Sequence, residues 1–145
     1  MTTSQTLQRH HQHCDTLFAI AEATVADGEW ERAEAAQEAF CLELERHFQC
    51  EEEELFPAFE AATGMTQGPT RVMRLEHGQM RDLLGQMNQA LTAQDAAAFA
   101  DAAETLLILM QQHNMKEENI LYPLFDQRLP AAMAAQVEAT LDCPP

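Results

Sequence analysis

The stretch HFQCEEEELFPAF, residues 47–59, recurs as HNMKEENILYPLF at residues 113–125, and this repeat decides the fold class. Both copies follow the pattern H-x-x-x-E-E-x-x-L-aromatic-P-x-F. Around them apolar residues recur at intervals of three and four, which is typical of amphipathic helices. The repeat therefore indicates two copies of one helical hairpin. Because Pro57 and Pro123 cannot donate a backbone hydrogen bond, we expect a kink in the helix that carries each copy.

Stretches that contain glycine and proline divide the helical pattern into about five segments. We expect helices over residues 4–25, 30–62, 69–91, 95–128 and 131–141. Asp95 is the predicted N-cap of the fourth. Long helices joined by short connections favour antiparallel neighbours. The sequence therefore predicts an all-α fold, an up-down-up-down four-helix bundle in one domain over residues 1–145, with its core at about 4–128 and a short C-terminal helix at about 130–141.

The chain is strongly acidic. Of its 145 residues 46% are hydrophobic, and 24 acidic against 8 basic side chains give a formal net charge of −16. This charge disfavours binding to nucleic-acid phosphates and to anionic lipid. No apolar run approaches the ~20 residues that span a bilayer, and the polar first residues lack the apolar core of a secretory signal. We therefore expect a soluble cytoplasmic protein, with no nucleic acid and no membrane among its partners.

Histidine and glutamate interrupt the apolar faces of the four long predicted helices. These residues are His10, His13, His47, Glu51, His77, His113 and Glu117. In each copy of the motif the glutamate follows the histidine by one helical turn. A carboxylate among apolar side chains must be neutralised, paired or coordinated, because an isolated buried charge is costly. Since Arg46, Arg74 and Arg81 lie off these faces, a metal is the more economical partner.

The residue types and their number indicate two metal ions. Imidazole nitrogen and carboxylate oxygen without thiolate suit iron or manganese, and zinc also fits. Two carboxylates on opposite helices can each bridge two ions, which leaves two histidines for each ion. Four histidines distributed over the four long helices, together with Glu51 and Glu117, are therefore the candidate ligands. His10 is either a further ligand or a solvated residue, and His11 is expected to point elsewhere. Any one histidine alone would more often be a structural core residue.

The motifs at His47 and His113, together with His13 and His77, resemble the hemerythrin-like, or HHE cation-binding, family over about residues 10–128. The resemblance implies a four-helix bundle that holds an oxo- or hydroxo-bridged di-iron centre. It also implies that the four histidines are terminal ligands and that the glutamates at 51 and 117 bridge the two irons.

Two positions depart from the oxygen-carrying members of that family. Met73 stands where those members have a fifth histidine, one turn before His77, and Glu118 stands at the position of their last carboxylate, an aspartate. Glu117 matches the spacing of bacterial relatives, and Glu118 is an additional candidate ligand. With one histidine fewer, an iron could keep an open or water-filled position, which favours reaction over simple oxygen transport.

The cysteines, Tyr122 and the acids beside Glu51 also bear on the function of the site. Cys14 and Cys50 are small buried hydrophobes or redox-sensitive thiols, whereas Cys143 is expected to be exposed. The four cysteines form no C-x-x-C pair, so no zinc knuckle or dithiol motif is indicated. Tyr122 is expected to pack near the kink or to donate a hydrogen bond or an electron near the metals. The acids at 52–54 are expected to form a solvated face.

These features predict a cytoplasmic non-haem di-iron protein that senses or handles oxygen, nitric oxide or iron. The alternative is a di-iron enzyme that turns over hydrogen peroxide or another small oxidant. The expected partner is thus a small diatomic ligand or peroxide. A helical interaction module with a decayed metal site is disfavoured, because both H-x-x-x-E motifs are intact.

Overall fold

The computed structural model describes residues 1–141, and Cys143 lies outside this range. The helices are α1 (Thr3–Ala26), α2 (Trp30–Cys50), α3 (Phe56–Thr63), α4 (Pro69–Thr92), α5 (Ala96–Lys116), α6 (Tyr122–Arg128) and α7 (Met133–Thr140). The described residues contain no strand. The predicted all-α fold is confirmed. The outer bounds of the five predicted segments agree with these helices to within a few residues, with α2 and α3 together covering the second segment and α5 and α6 the fourth.

The four long helices α1, α2, α4 and α5 form an antiparallel bundle. Along α1 and α2, His10 stacks on His47 and Phe18 packs against Phe40, so the residue numbers run in opposite directions. The connections between consecutive long helices are short. α1 also packs against α5 and α6, and α2 packs against α4, which closes the bundle. None of the described helices is both long and apolar enough to cross a membrane.

Local capping fixes the helix ends. At the start of α1, Thr2 and Gln5 form a capping box in which each side chain bonds the other's backbone N–H. Asp95 caps α5 as predicted, since its Oδ1 accepts a hydrogen bond of 3.0 Å from the backbone N–H of Ala98. α3 ends at Gly64, whose φ of 72° is a left-handed conformation that glycine adopts without strain.

Both copies of the repeated motif contain a π-helical turn, at Glu51–Leu55 and at Glu117–Leu121. In the first, the N–H of Phe56 bonds to the carbonyl of Glu51, five residues back. In this register the carbonyl that Pro57 cannot serve belongs to Glu52, and that oxygen accepts from Arg74 Nη1 at 3.3 Å. Each proline therefore follows directly after a π-helical turn. The first residue of each turn, Glu51 or Glu117, is buried in the centre of the bundle.

The core consists of two apolar clusters with a polar layer between them. On α4, Met73 belongs to one cluster and Met80 to the other, with the buried His77 between them. On α5, Met110 and Leu121 of the following π-turn flank the polar residues in the same way. Burying each large apolar side chain contributes roughly 1.5–3 kcal/mol. The clusters thus fix the four helices on both sides of the polar layer.

The buried face of α1 differs from the predicted one. The buried residues of α1 after its first turn are Leu7, His10, His11, Cys14, Phe18, Ala21 and Val25. At about 100° per residue, His11 is turned about 40° from Leu7, whereas His13 is turned about 120° away. The predicted apolar face through His13 therefore lies off the buried face of α1, and Ile20, two turns beyond His13, is 47% exposed.

Candidate metal centre

Six buried side chains from the polar layer converge between the four helices. They are His11, His47, Glu51, His77, His113 and Glu117. Each of the four long helices α1, α2, α4 and α5 contributes one histidine. The two glutamates are the first residues of the two π-turns. Each copy of the repeat thus supplies two histidines and one glutamate to one site.

The first half comprises Glu51, His77, His113 and Glu117. One ligand atom of each lies within 4.8 Å of the others. His77 Nε2 is 3.0 Å from Glu51 Oε1, and His113 Nε2 is 3.2 Å from Glu117 Oε1. Each of these side chains nevertheless has a buried atom with no hydrogen-bond partner. These atoms are Glu51 Oε1, His77 Nε2, His113 Nε2 and Glu117 Oε2.

The second half comprises His11, His47 and Glu117, again with one ligand atom each within 4.8 Å. His11 Nε2 is 3.2 Å from Glu117 Oε1, and His47 Nε2 is 3.6 Å from Glu51 Oε2. Glu117 thus belongs to both groups of potential ligands, and Glu51 approaches the second half through its Oε2 atom.

The hydroxyl of Tyr122 lies in the second half. It is 2.7 Å from Glu51 Oε2 and 2.9 Å from Glu117 Oε1, and it is 3.1 Å from the Nε2 atoms of both His11 and His47. Burial and the two nearby carboxylates raise the pKa of Tyr122 well above its ordinary value, so the phenol of the metal-free protein keeps its proton. A hydrogen bond from Tyr122 near the metals was one of the two interpretations of this residue from the sequence, and the hydroxyl does donate within the cluster, but its contacts with four cluster atoms were not predicted.

Acidic side chains hold the outer nitrogens of three of the four histidines. His77 Nδ1 contacts Glu52 at 2.6 Å, His113 Nδ1 contacts Glu76 at 2.9 Å and His11 Nδ1 contacts Glu118 at 2.7 Å. Such contacts fix the ring orientation and leave Nε2 facing the centre, as is usual for metal-binding histidines. These acids are themselves anchored, because Arg81 binds Glu52 and Lys116 binds Glu76.

The fourth histidine, His47, is held through a second histidine. His47 Nδ1 lies 2.8 Å from His10 Nδ1, and His10 Nε2 lies 2.9 Å from Glu43 Oε2. Burial lowers the pKa of His10 to about 4, so its ring is neutral at neutral pH. Both ring nitrogens of His10 are therefore engaged away from the centre, which does not fit the predicted alternative of His10 as a ligand.

In the metal-free protein, protonated histidines partly balance the negative charge of the buried carboxylates. Burial opposes protonation of His77, but the nearby carboxylates of Glu51 and Glu52, 3.0 and 2.6 Å from its two ring nitrogens, outweigh it and raise the pKa of His77 to about 9. Burial likewise opposes protonation of His11, and hydrogen bonds to Glu117 and Glu118 raise its pKa to about 9. Two imidazolium rings thus face the two buried carboxylates.

The structure brings five of the six predicted ligands together and places His11 where His13 was expected. His13 is half-buried and takes part in neither group of potential ligands; its ring centroid lies 6.0 Å from that of His10. The prediction that His13 lies on the buried face of α1 was wrong, because His13 is turned about 120° from Leu7 around the helix. Extending the phase of Leu7 along α1 would have identified His11.

Two other acids differ from their expected roles. Glu118, an additional candidate ligand, directs its carboxylate to the outer nitrogen of His11, and its side chain is 35% exposed. Glu52, expected on a solvated face, is half-buried against His77 and Arg81. Cys50 is buried, and burial raises the pKa of its thiol, which agrees with the interpretation of a small buried hydrophobe.

Comparison with known proteins gives one finding. The model of the hemerythrin HHE cation binding domain matches residues 2–125. No match was found among curated proteins or among solved structures. The matched region contains all six converging side chains and Tyr122.

Proposed function

The chain belongs to the hemerythrin HHE cation-binding domain family, and on that premise we propose that the buried cluster is a dinuclear metal site. The proposed terminal ligands are His11, His47, His77 and His113, and the proposed shared ligands are Glu51 and Glu117. His13, predicted from the sequence, is not among them.

One observation carries this proposal. Among residues 1–141, five buried side-chain nitrogen or oxygen atoms lack a hydrogen-bond partner, and four of them belong to the group Glu51, His77, His113 and Glu117. Leaving a single buried polar group unsatisfied costs about 1–3 kcal/mol, and more for a charged one. Four such atoms at the same place are explained by a shared partner, and a cation satisfies lone pairs of both imidazole and carboxylate.

The kind of metal follows from the donor set. Neutral imidazole nitrogens and carboxylate oxygens, with no thiolate among the six side chains, suit iron or manganese, and zinc also fits. We propose two iron ions as the resident pair. The ring of Phe48 stacks on His77 with 4.1 Å between centroids, and Phe56 stacks on the same ring at 5.8 Å. These rings cover His77, which has no exposed surface, with apolar side chains.

The proposed activity is reversible binding of a small molecule for sensing or handling oxygen, nitric oxide or iron. Bound iron supplies a coordination position that such a ligand can occupy. The direction of that position depends on the orientation of the four histidine rings. Acidic side chains fix three of these rings through their outer nitrogens, and His10 fixes the ring of His47.

A second candidate is an enzyme that turns over hydrogen peroxide. The hydroxyl of Tyr122 favours it when that hydroxyl keeps its proton in the iron-loaded protein, because a proton donor then lies within the cluster itself, 2.7 Å from Glu51. Steady consumption of peroxide by the iron-loaded protein would support the enzyme. A stable spectral change on adding oxygen or nitric oxide, reversed on removing it and without turnover, would support the sensor.

Metal analysis tests the site. We expect about two irons per chain in the purified protein and loss of both in the double variant Glu51→Ala and Glu117→Ala, since each carboxylate serves both halves. The matched control replaces the exposed Glu53 and Glu104, which lie on the same two stretches of helix, and should keep full loading. Full iron content in the Glu51 and Glu117 double variant would overturn the proposal.

A further inference from the structure

The hydroxyl of Tyr122 has more close partners than a phenol can satisfy. A phenol has one hydrogen to donate and two lone pairs to accept with. Its oxygen here lies within 3.1 Å of two carboxylate oxygens and two imidazole nitrogens. The two carboxylate oxygens, at 2.7 and 2.9 Å, are both acceptors for the one phenol hydrogen. Tyr122 can therefore donate to one of them at a time.

The same four distances match those between neighbouring ligands of one metal ion. Ligand nitrogens and oxygens lie about 2.0–2.2 Å from a metal such as zinc, and ligands at right angles to each other are then about 2.8–3.1 Å apart. Tyr122 Oη is 2.7–3.1 Å from Glu51 Oε2, Glu117 Oε1, His47 Nε2 and His11 Nε2. All four are atoms of residues assigned above to the metal.

The repeat gives an independent comparison, because Phe56 occupies the position of Tyr122 in the first copy. The Phe56 ring stacks on His77 with 5.8 Å between centroids and 22° between planes. The Tyr122 ring stacks on His11 with 5.5 Å and 25°. The two rings are therefore placed alike, and the phenol oxygen is the group that the second half has and the first half lacks.

Resting on the dinuclear site of the preceding section, we propose that Tyr122 is a fifth protein ligand of the ion held by His11 and His47. On coordination the phenol O–H bond breaks, an oxygen–metal bond forms and the proton leaves to the solvent. The ion at His11 and His47 then has five protein donors, whereas the ion at His77 and His113 has four. With fewer protein donors, the ion in the His77 and His113 half then keeps more positions for a small ligand.

Spectroscopy of the iron-loaded protein tests this assignment. The protein is loaded with iron(II) and oxidised to iron(III) with ferricyanide. Coordinated phenolate gives a visible charge-transfer band, and resonance Raman excitation in that band enhances phenolate ring vibrations. Because Tyr122 is the single tyrosine of the chain, any such vibration identifies it. Incorporation of ring-deuterated tyrosine should shift these vibrations, a measurement that needs no substitution.

The variant Tyr122→Phe should keep about two irons per chain and lose the band. Phenylalanine already occupies the equivalent position 56, so the replacement fits the bundle, and thermal melting checks that it folds. Wild-type protein with two irons and no phenolate vibrations, or a Tyr122→Phe variant with an unchanged band, would overturn the inference and leave the dinuclear site intact. Wild-type protein that binds no iron would instead overturn the proposed function.

Discussion

His10 Nδ1 and His47 Nδ1 lie 2.8 Å apart, and this contact links a proposed metal ligand to an acid near the surface. If Nε2 of His47 faces a metal, its proton is on Nδ1 and is donated to His10. His10 then carries its own proton on Nε2 and donates it to Glu43, 2.9 Å away. One set of tautomers thus satisfies every nitrogen of both rings. Glu43 is in turn bound by Arg46 at 2.8 Å.

Replacing His10 by leucine should weaken iron binding. His47 would lose the acceptor that fixes its ring and increases the basicity of its Nε2 atom, and changes of this kind typically cost 10–100-fold in metal affinity. Titration against a competing chelator measures the loss. His13→Leu, one turn further along α1, is the matched control and should leave the affinity unchanged. Equal affinities of the two variants would show that the contact between His10 and His47 does not support the metal.

A second prediction tests whether His11 or His13 is the histidine of α1 that binds iron. His11→Ala removes one of the two proposed histidines of its half and should lower the iron content from about two to about one per chain. His13→Ala should keep about two, because His13 is half-buried and is outside both groups of potential ligands. Metal analysis of the two purified variants decides between them. The opposite result, with loss in His13→Ala alone, would restore the interpretation from the sequence.

Most of the fold was predictable because it depends on local and periodic signals. The repeated motif specified the two helices that contain α2 and α5, and Asp95 marked a helix start through its own side chain. His47, Glu51, His113 and Glu117 follow from the same repeat, because their spacing places them on one helical face. Where the repeat is faint, on α1, the phase had to be read from apolar residues alone, and an error of two residues resulted.

The outer contacts could not be predicted, because they join different helices. Glu52 and Glu76 lie beside the apolar faces, and nothing in their own surroundings along the chain indicates that they contact His77 and His113. The π-turns were also unexpected, since a proline predicts a missing backbone donor but not the register that replaces it. The reach of Tyr122 depends on that register and on the approach of all four helices.

Arg81 provides a test of the outer contacts. Its guanidinium binds Glu52 through two hydrogen bonds of 2.9 Å and also binds Glu45, and Glu52 holds His77. Arg81→Gln should therefore weaken metal binding at the half that contains His77, while leaving the other half loaded. Arg71→Gln, on the same helix, is the control, because Arg71 bonds to the side chain of Gln67, away from the site. Stepwise iron titration of both variants should show one weakened site in Arg81→Gln and none in the control. Two unchanged sites in Arg81→Gln would contradict the role of this contact.

The stability of the metal-free protein should depend on pH in a way that metal removes. The pKa values of His11 and His77 are about 9 in the folded protein, against about 6.5 for an ordinary histidine. A raised folded pKa contributes stability that is fully present below about pH 6.5 and is lost as pH rises through about 9. The melting temperature of metal-free protein should therefore fall between these two pH values.

In the loaded protein the proposed ligand nitrogens bind metal instead of protons, so this loss should be much smaller. Higher pH also removes the protons that compete with the metal, so the difference in melting temperature between loaded and metal-free protein should widen from pH 6.5 to 9. Calorimetric melting with and without chelator measures that difference. His77→Gln in metal-free form is the control and should show a shallower pH dependence, since one of the two proton-binding rings is gone. A metal-free melting temperature that stays flat or rises across this interval would mean that protonated histidines do not balance the buried carboxylates.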